Sequence, residues 1–206
     1  AAAQRAPSSS NLQPYELHWV RDPAMRAAVA QASGGQRAAA SAGAFVVVVA
    51  RFSGVLPTWR SFLAHMDASA GYDDDDRAHH RQKLGELLLF VGHGVGRGLL
   101  RVIAGALIAV AGVFTNHTLL APFGRRGAHH WAARNSIFAA QTLLLAAVAR
   151  GLDACPMEGF NPFTVARVIG VKNVVIPLVV AVGRRRPDAR LDPPWRRPFD
   201  DVVVRH

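Results

Sequence analysis

Two short segments carry side chains whose types and spacing suit ligand chemistry. The first is Ala6-Pro7-Ser8-Ser9-Ser10-Asn11-Leu12-Gln13-Pro14-Tyr15. Its two prolines restrict the backbone, and between them hydroxyls and side-chain amides can hydrogen-bond phosphate, ribityl or ring oxygens without demanding a charge. Ser and Asn serve a plain turn or a helix cap equally well, so residue types alone leave both uses open. The second segment is Gly151-Leu152-Asp153-Ala154-Cys155-Pro156-Met157-Glu158-Gly159-Phe160-Asn161. Met157 and Phe160 suit a planar ring system or a protein core, and Gly159 lets a ligand approach the backbone. Glu158 offers a base, a surface carboxylate, or only its backbone N–H. Cys155 is the single cysteine. No neighbour in sequence activates it, so a buried structural thiol is expected rather than a nucleophile.

Two other clusters invite a chemical use and fit a plainer one. Asp73 to Asp76 with His79-His80 combine carboxylates and imidazoles, the donors of many metal sites. Adjacent aspartates equally suit the solvated start of a helix running from Arg77 to Phe90, and no metal is expected. The run Gly92-His93-Gly94-Val95-Gly96-Arg97-Gly98 lacks the spacing of a dinucleotide or phosphate-binding loop and follows a helical pattern, so it reads as a turn.

The elements that must position these segments follow from pattern. Tyr15 to Val20 alternates and is aromatic, a strand. Asp22-Pro23 is a cap followed by proline at the first helical position, opening a helix from Ala24 to Ala32 that stops at Ser33-Gly34-Gly35. Phe45 to Ala50 is a continuous β-branched run suited to a central strand covered on both faces. Trp131 to Arg150 is helical, with Ile137, Gln141, Leu144, Leu145 and Val148 on one face and Gly151 as the stop. A loop of ten residues follows. Asn161-Pro162 then repeats the cap-then-proline signal for a short helix closing at Gly170. Val174 to Val182 is a strand in which Pro177 implies an edge or a bulge. The basic, proline-rich tail from Gly183 ends in Val202-Val203-Val204, a candidate final strand.

Bulk properties narrow the function classes. The chain has 206 residues, half of them hydrophobic and 18% charged, with 24 basic and 14 acidic side chains and a formal charge of +10. That length suits one domain with its own core. The basic balance favours phosphate-bearing partners, but the arginines are scattered and have few aromatic neighbours to stack bases, so nucleic acid is not an expected partner. One cysteine excludes an internal disulfide and a cysteine-based zinc cluster. A reducing cytoplasm fits, and no signal peptide is expected because no apolar run follows the first basic residue. Gly98 to Phe114 imitates a membrane span. It holds only 17 residues, broken by Arg101, and suits a buried helix better.

In those two segments the sequence resembles the nitroreductase family. The matching patterns are A-P-S-x-x-N-x-Q-P-[WY] and A-A-Q-x-x-x-L-A-A-x-x-x-G-L-[DG]-x-x-P-x-x-G-[FY], with a closing R-R-P-F-D-D-V. The resemblance covers Ala1 to Arg51 and Trp131 to Val204. It implies an α+β fold, a three-layer sandwich with a mixed central sheet flanked by helices. It also implies a homodimer with C-terminal strand exchange that holds two FMN molecules at its interface. The whole chain, 1–206, would be one domain, with a variable helical cap at about 53–130 and a C-terminal extension at 184–206. Pro7, Ser8, Ser9, Asn11 and Gln13 match residues that reach FMN from the neighbouring subunit. Pro156, Met157, Glu158 and Gly159 match the loop against the isoalloxazine ring, where a backbone N–H bonds the flavin N5. Arg196 and Arg197 match basic positions near the FMN phosphate, and Gln36 a polar position at the ring's pyrimidine edge.

The implied activity is ping-pong hydride transfer from NADPH or NADH to a nitroaromatic, quinone or similar electron-poor acceptor. In that chemistry the flavin reacts, and no side chain of the protein is expected to be catalytic. The arginine excess points to NADPH. Family members open with a helix carrying Arg-x-Ser-x-Arg, whereas this chain starts at Ala1-Ala2-Ala3-Gln4-Arg5, within the second helix of that plan. Either the opening helix lies outside this sequence, or fewer phosphate contacts and weaker FMN binding are expected. A flavin-binding protein without turnover and a membrane-associated protein are the alternatives.

Overall fold

The computed structural model describes residues 1–91, 124–189 and 191–206. The glycine run at 92–98 and the apolar segment at 98–114 lie outside the described residues. Among those described, no helix is long and apolar enough to cross a membrane.

Four strands form one sheet: β1 Tyr15–Val20, β2 Ala44–Ala50, β3 Asp153–Met157 and β4 Val175–Gly183, in the order β1-β2-β4-β3. The six residues from Phe45 to Ala50 are all buried, as a β-branched run pressed from both sides requires. Alternate residues of β2 serve two cores. Phe45, Val47 and Val49 join Val29, Val165, Met157 and Val179. Val46 and Val48 pack with Ala140, Leu178 and Val180 on the opposite face. A third cluster, Leu12, Ala50, Val55, Trp59 and Trp131, closes one end.

Among the described residues there are six helices: α1 Pro23–Ala32, α2 Arg37–Ala40, α3 Val55–Ala68, α4 Asp74–Val91, α5 Gly124–Val148 and α6 Pro162–Val168. The start signals act as expected. Asp22 Oδ1 accepts from the Met25 N–H at 2.8 Å, and Asn161 Oδ1 accepts from Phe163 and Thr164, both at 3.1 Å. Asp73 caps α4 through the Asp76 N–H at 2.8 Å, so the aspartate cluster is a helix start. No group of three metal-ligating side chains occurs among the described residues. Gly151 takes a left-handed conformation, φ 68°, and the Leu152 N–H reaches back to Ala147 O at 3.0 Å, ending α5.

Three expectations change, those for the segment after Gly151, the face of α5 and the valine tail, and two are narrowed, those for the sheet pairing and for Pro177. The segment after Gly151 is not all loop, because Asp153–Met157 pairs along β4 as an edge strand. Every pairing among the described strands is antiparallel, so a parallel partner in a mixed sheet would have to come from outside the described strands. Pro177 lies in an interior strand, where it sits in a bulge: Val48 pairs with Leu178 but Ala50 with Val175. Much of the Ile137–Val148 face of α5 points away from the chain, with Ile137, Leu145 and Val148 43%, 63% and 65% exposed, while Leu144 packs against the sheet with Val46 and Val48. Buried positions of this helix include Ala132, Ala139, Ala140 and Ala147, whose small side chains let the helix lie close to the sheet. Val202-Val203-Val204 forms no strand and is exposed.

Because β2 is packed from both faces, truncation there should leave a cavity that neither helical layer can fill. Phe45→Ala is expected to lose about 3–5 kcal/mol of stability, measured by urea unfolding.

Candidate functional site

The Ser/Asn segment precedes β1 at one edge of the sheet. Ser10, Asn11 and Gln13 hold positive φ angles of 50°, 53° and 43°, each a conformation that costs a non-glycine residue energy and needs outside support. Part of that support is local. Ser8 Oγ accepts the Gln13 N–H at 3.0 Å, and Gln13 Nε2 donates to Asn11 Oδ1 at 3.2 Å. The rest comes from α5, where buried Asn135 accepts the Ser9 N–H on Oδ1 at 2.7 Å while its Nδ2 donates to Trp131 O at 2.9 Å. Leu12, fully buried, pins the middle of the segment among Trp59 and Trp131. Pro7, Ser9 and Asn11 are left exposed and Ser8 and Gln13 half-buried, a polar surface shaped in advance.

The second segment leaves β3 at the opposite edge. Across a sheet ordered β1-β2-β4-β3, the edge strands stand about 14 Å apart at the usual strand spacing. Met157 is buried in the core and Phe160 packs against the same cluster, so both side chains serve packing, and what this segment presents is backbone. Its carbonyls are engaged: Glu158 O accepts from the Phe160 N–H at 3.0 Å, and Gly159 O from Gln36 Nε2 at 2.6 Å. The Asn161 N–H is tied to Ala32 O, at the end of α1, at 2.8 Å. The N–H groups of Glu158 and Gly159 have no acceptor among the described residues. The Glu158 side chain and Pro156 are exposed. A Cβ on Gly159 would stand 3.2 Å from Gln36 Nε2, so a side chain there would push against the amide that holds the loop.

The remaining expected residues lie apart from these two loops. Arg196 and Arg197 are exposed on the tail and fold back on it, donating to Trp195 O at 2.7 Å and Asp201 O at 2.6 Å. The start of the tail is fastened to β3 by Arg185, whose N–H and guanidinium meet the Asp153 carboxylate at 2.9 and 3.0 Å. Cys155 is exposed, not buried as expected, because its side chain projects from an edge strand. Two residues that the sequence did not single out matter to the geometry. Asn135 holds the first loop, and Ser33, buried with Oγ donating to Val29 O at 2.8 Å, fixes the turn that carries Gln36. A polar residue inside an otherwise apolar helical stripe is the signal that could have revealed Asn135.

Comparison with known proteins places the chain in a family and shows its fold. The family model described as "Nitroreductase family" matches residues 1–184. The NADH dehydrogenase of Thermus thermophilus is 29% identical over 206 residues, spanning 98% of this chain and 80% of that protein. A nitroreductase-type protein of Bacillus subtilis, ydfN, shares the fold with a TM-score of 0.72 at 19% identity, over 100% of this chain and 84% of that one. A nitroreductase-type protein of Exiguobacterium sibiricum, solved in complex with FMN, gives a TM-score of 0.61 at 18% identity, over 98% and 81%.

Tyr15, which ends the first motif, has a buried hydroxyl without a hydrogen-bond partner among the described residues. Burial pushes its phenol above the ordinary value near 10. The folded chain therefore keeps this proton where the unfolded chain has released it. Stability is undiminished below about pH 10 and declines as pH rises through the folded value. Tyr15→Phe should leave stability at neutral pH unchanged or raise it by up to about 1 kcal/mol and should flatten the alkaline decline, both read from denaturant curves across pH.

Proposed function

Since the chain belongs to the nitroreductase family, we propose that it is an FMN-dependent oxidoreductase that uses NADPH or NADH to reduce an electron-poor acceptor such as a nitroaromatic or a quinone. The observation that carries this proposal is the pair of unaccepted N–H groups at Glu158 and Gly159, on a segment whose carbonyls and far end are held by α1 and Gln36. Two adjacent backbone donors, one of them on a residue without a side chain, fit the edge of a flat heteroaromatic ring, which needs donors at its ring nitrogen and room against its face. When bound, FMN supplies the two-electron chemistry, taking hydride from the nicotinamide and returning it to the acceptor in ping-pong order.

The chain's own residues then hold and orient. Gly159 lets the ring lie against the backbone, and Met157, locked in the core, keeps that backbone from yielding. The hydroxyls and amides of Ser8, Ser9, Asn11 and Gln13, with Pro7 shaping their loop, suit the ribityl and phosphate oxygens. Arg196 and Arg197 would supply positive charge at the phosphate end.

The same geometry supports a partnership between two copies. The two loops stand at opposite edges of one sheet, and their anchors lie on opposite faces of it, α5 for one and α1 for the other. A single ring is met by both more readily when each loop comes from a different subunit. The outward face of α5, with Ile137, Phe138, Leu145 and Val148 exposed, is an apolar stripe suited to a second copy. The valine tail, which pairs with none of the described strands, suits exchange onto that copy's sheet.

The purified protein is expected to be yellow after incubation with FMN, and anaerobic NADPH or NADH should bleach the visible flavin band. Retained FMN that neither nicotinamide bleaches would make the protein a passive flavin binder and overturn the enzymatic claim.

A further inference from the structure

Gln36 is joined to the second loop more firmly than a surface amide needs to be. It follows a turn in which Gly34 and Gly35 both adopt left-handed conformations, φ 63° and 73°, and this reversal carries its side chain back across the end of α1. Nε2 donates to two carbonyls at once, Ser33 O at 3.1 Å and Gly159 O at 2.6 Å, the second 123 residues away in sequence. One of these carbonyls belongs to a fixed turn, since Ser33 is buried and its hydroxyl is tied to Val29 O. The other belongs to the residue with the greatest backbone freedom in its loop. Only the φ and ψ of Gly159 separate its carbonyl from its N–H, and a glycine leaves both angles loose. With Asn161 tied to Ala32 O at 2.8 Å, the segment from Gly159 to Asn161 is held at one end by Gln36 and at the other by the last residue of α1.

We propose that Gln36 is a positioning residue: by donating to the Gly159 carbonyl it limits rotation about the φ and ψ of Gly159 and so holds the preceding peptide, whose N–H faces the flavin ring. This role rests on the flavin reading above. It differs from a direct ring contact, because both amide hydrogens are already committed to backbone oxygens and the force on the ring is transmitted through Gly159.

Two variants separate the donor from the bulk of the side chain. Gln36→Met keeps an unbranched chain of similar length and removes both donors, while Gln36→Lys restores a donor able to reach two carbonyls. In the protein without FMN, amide hydrogen exchange at Asn161 should quicken in Gln36→Met by about tenfold, the worth of one neutral hydrogen bond, and return towards wild type in Gln36→Lys. With added FMN, fluorescence titration should show a dissociation constant raised by about the same factor in Gln36→Met. Its visible flavin band should also be displaced, with both properties recovered in Gln36→Lys. Unchanged exchange at Asn161 would overturn the latch. Faster exchange with an unaltered flavin band and affinity would overturn the positioning role. A wild-type protein that takes up no FMN would overturn the flavin assignment and this role together. The exchange arm, which needs no cofactor, would still tell whether Gln36 holds the loop.

Discussion

Everything in this molecule depends on covering β2 from both sides. A strand with six consecutive buried residues, four of them valine, cannot leave either face to water, so helices must lie above and below it. On one face α5 comes close through its alanines, and on the other α1 and α6 pack over Val47 and Val49. Each layer then has a second task. Asn135 on α5 holds the Ser/Asn loop, and the end of α1 holds the Gly159 loop. The sandwich that buries the core therefore also distributes the candidate site between its two layers and its two sheet edges.

Local signals were legible where they depend on the residue itself and its near neighbours. Asp22-Pro23 and Asn161-Pro162 announce helices because capping and the proline φ act over three residues. Gly151 announces a stop for the same reason. Asp153–Met157 escaped because an edge strand of five residues, one a proline, is defined by its partner β4 and not by its own pattern. The helix Val55–Ala68 has no clear start signal, since Gly54 makes no side-chain cap and Pro57 falls inside its first turn. For α5 the apolar period was plain, but a period does not say which stripe meets the sheet, and small alanines took the place that larger residues seemed to claim.

The candidate site shows the same division. Its residue types and the spacing of its two motifs were legible, and the family assignment agrees with them. Its anchors were not, because the bonds that shape the loops join residues 126 and 123 positions apart. Those long-range bonds turn an ordinary Ser/Asn turn and an ordinary glycine loop into preformed surfaces. Preorganisation of this kind lets a site bind without ordering its loops at the moment of binding.

The central claim is that two copies build each site, one giving the Ser/Asn loop and the other the Gly159 loop. Co-refolding a variant disabled in the first loop, Ser9→Pro with Asn11→Ala, with a variant disabled in the second, Gly159→Val, tests it most directly. Neither variant alone should retain FMN, and their mixture should recover it, because each mixed dimer contains one site with both loops intact. A mixture that retains no more FMN than the separate variants would contradict the account.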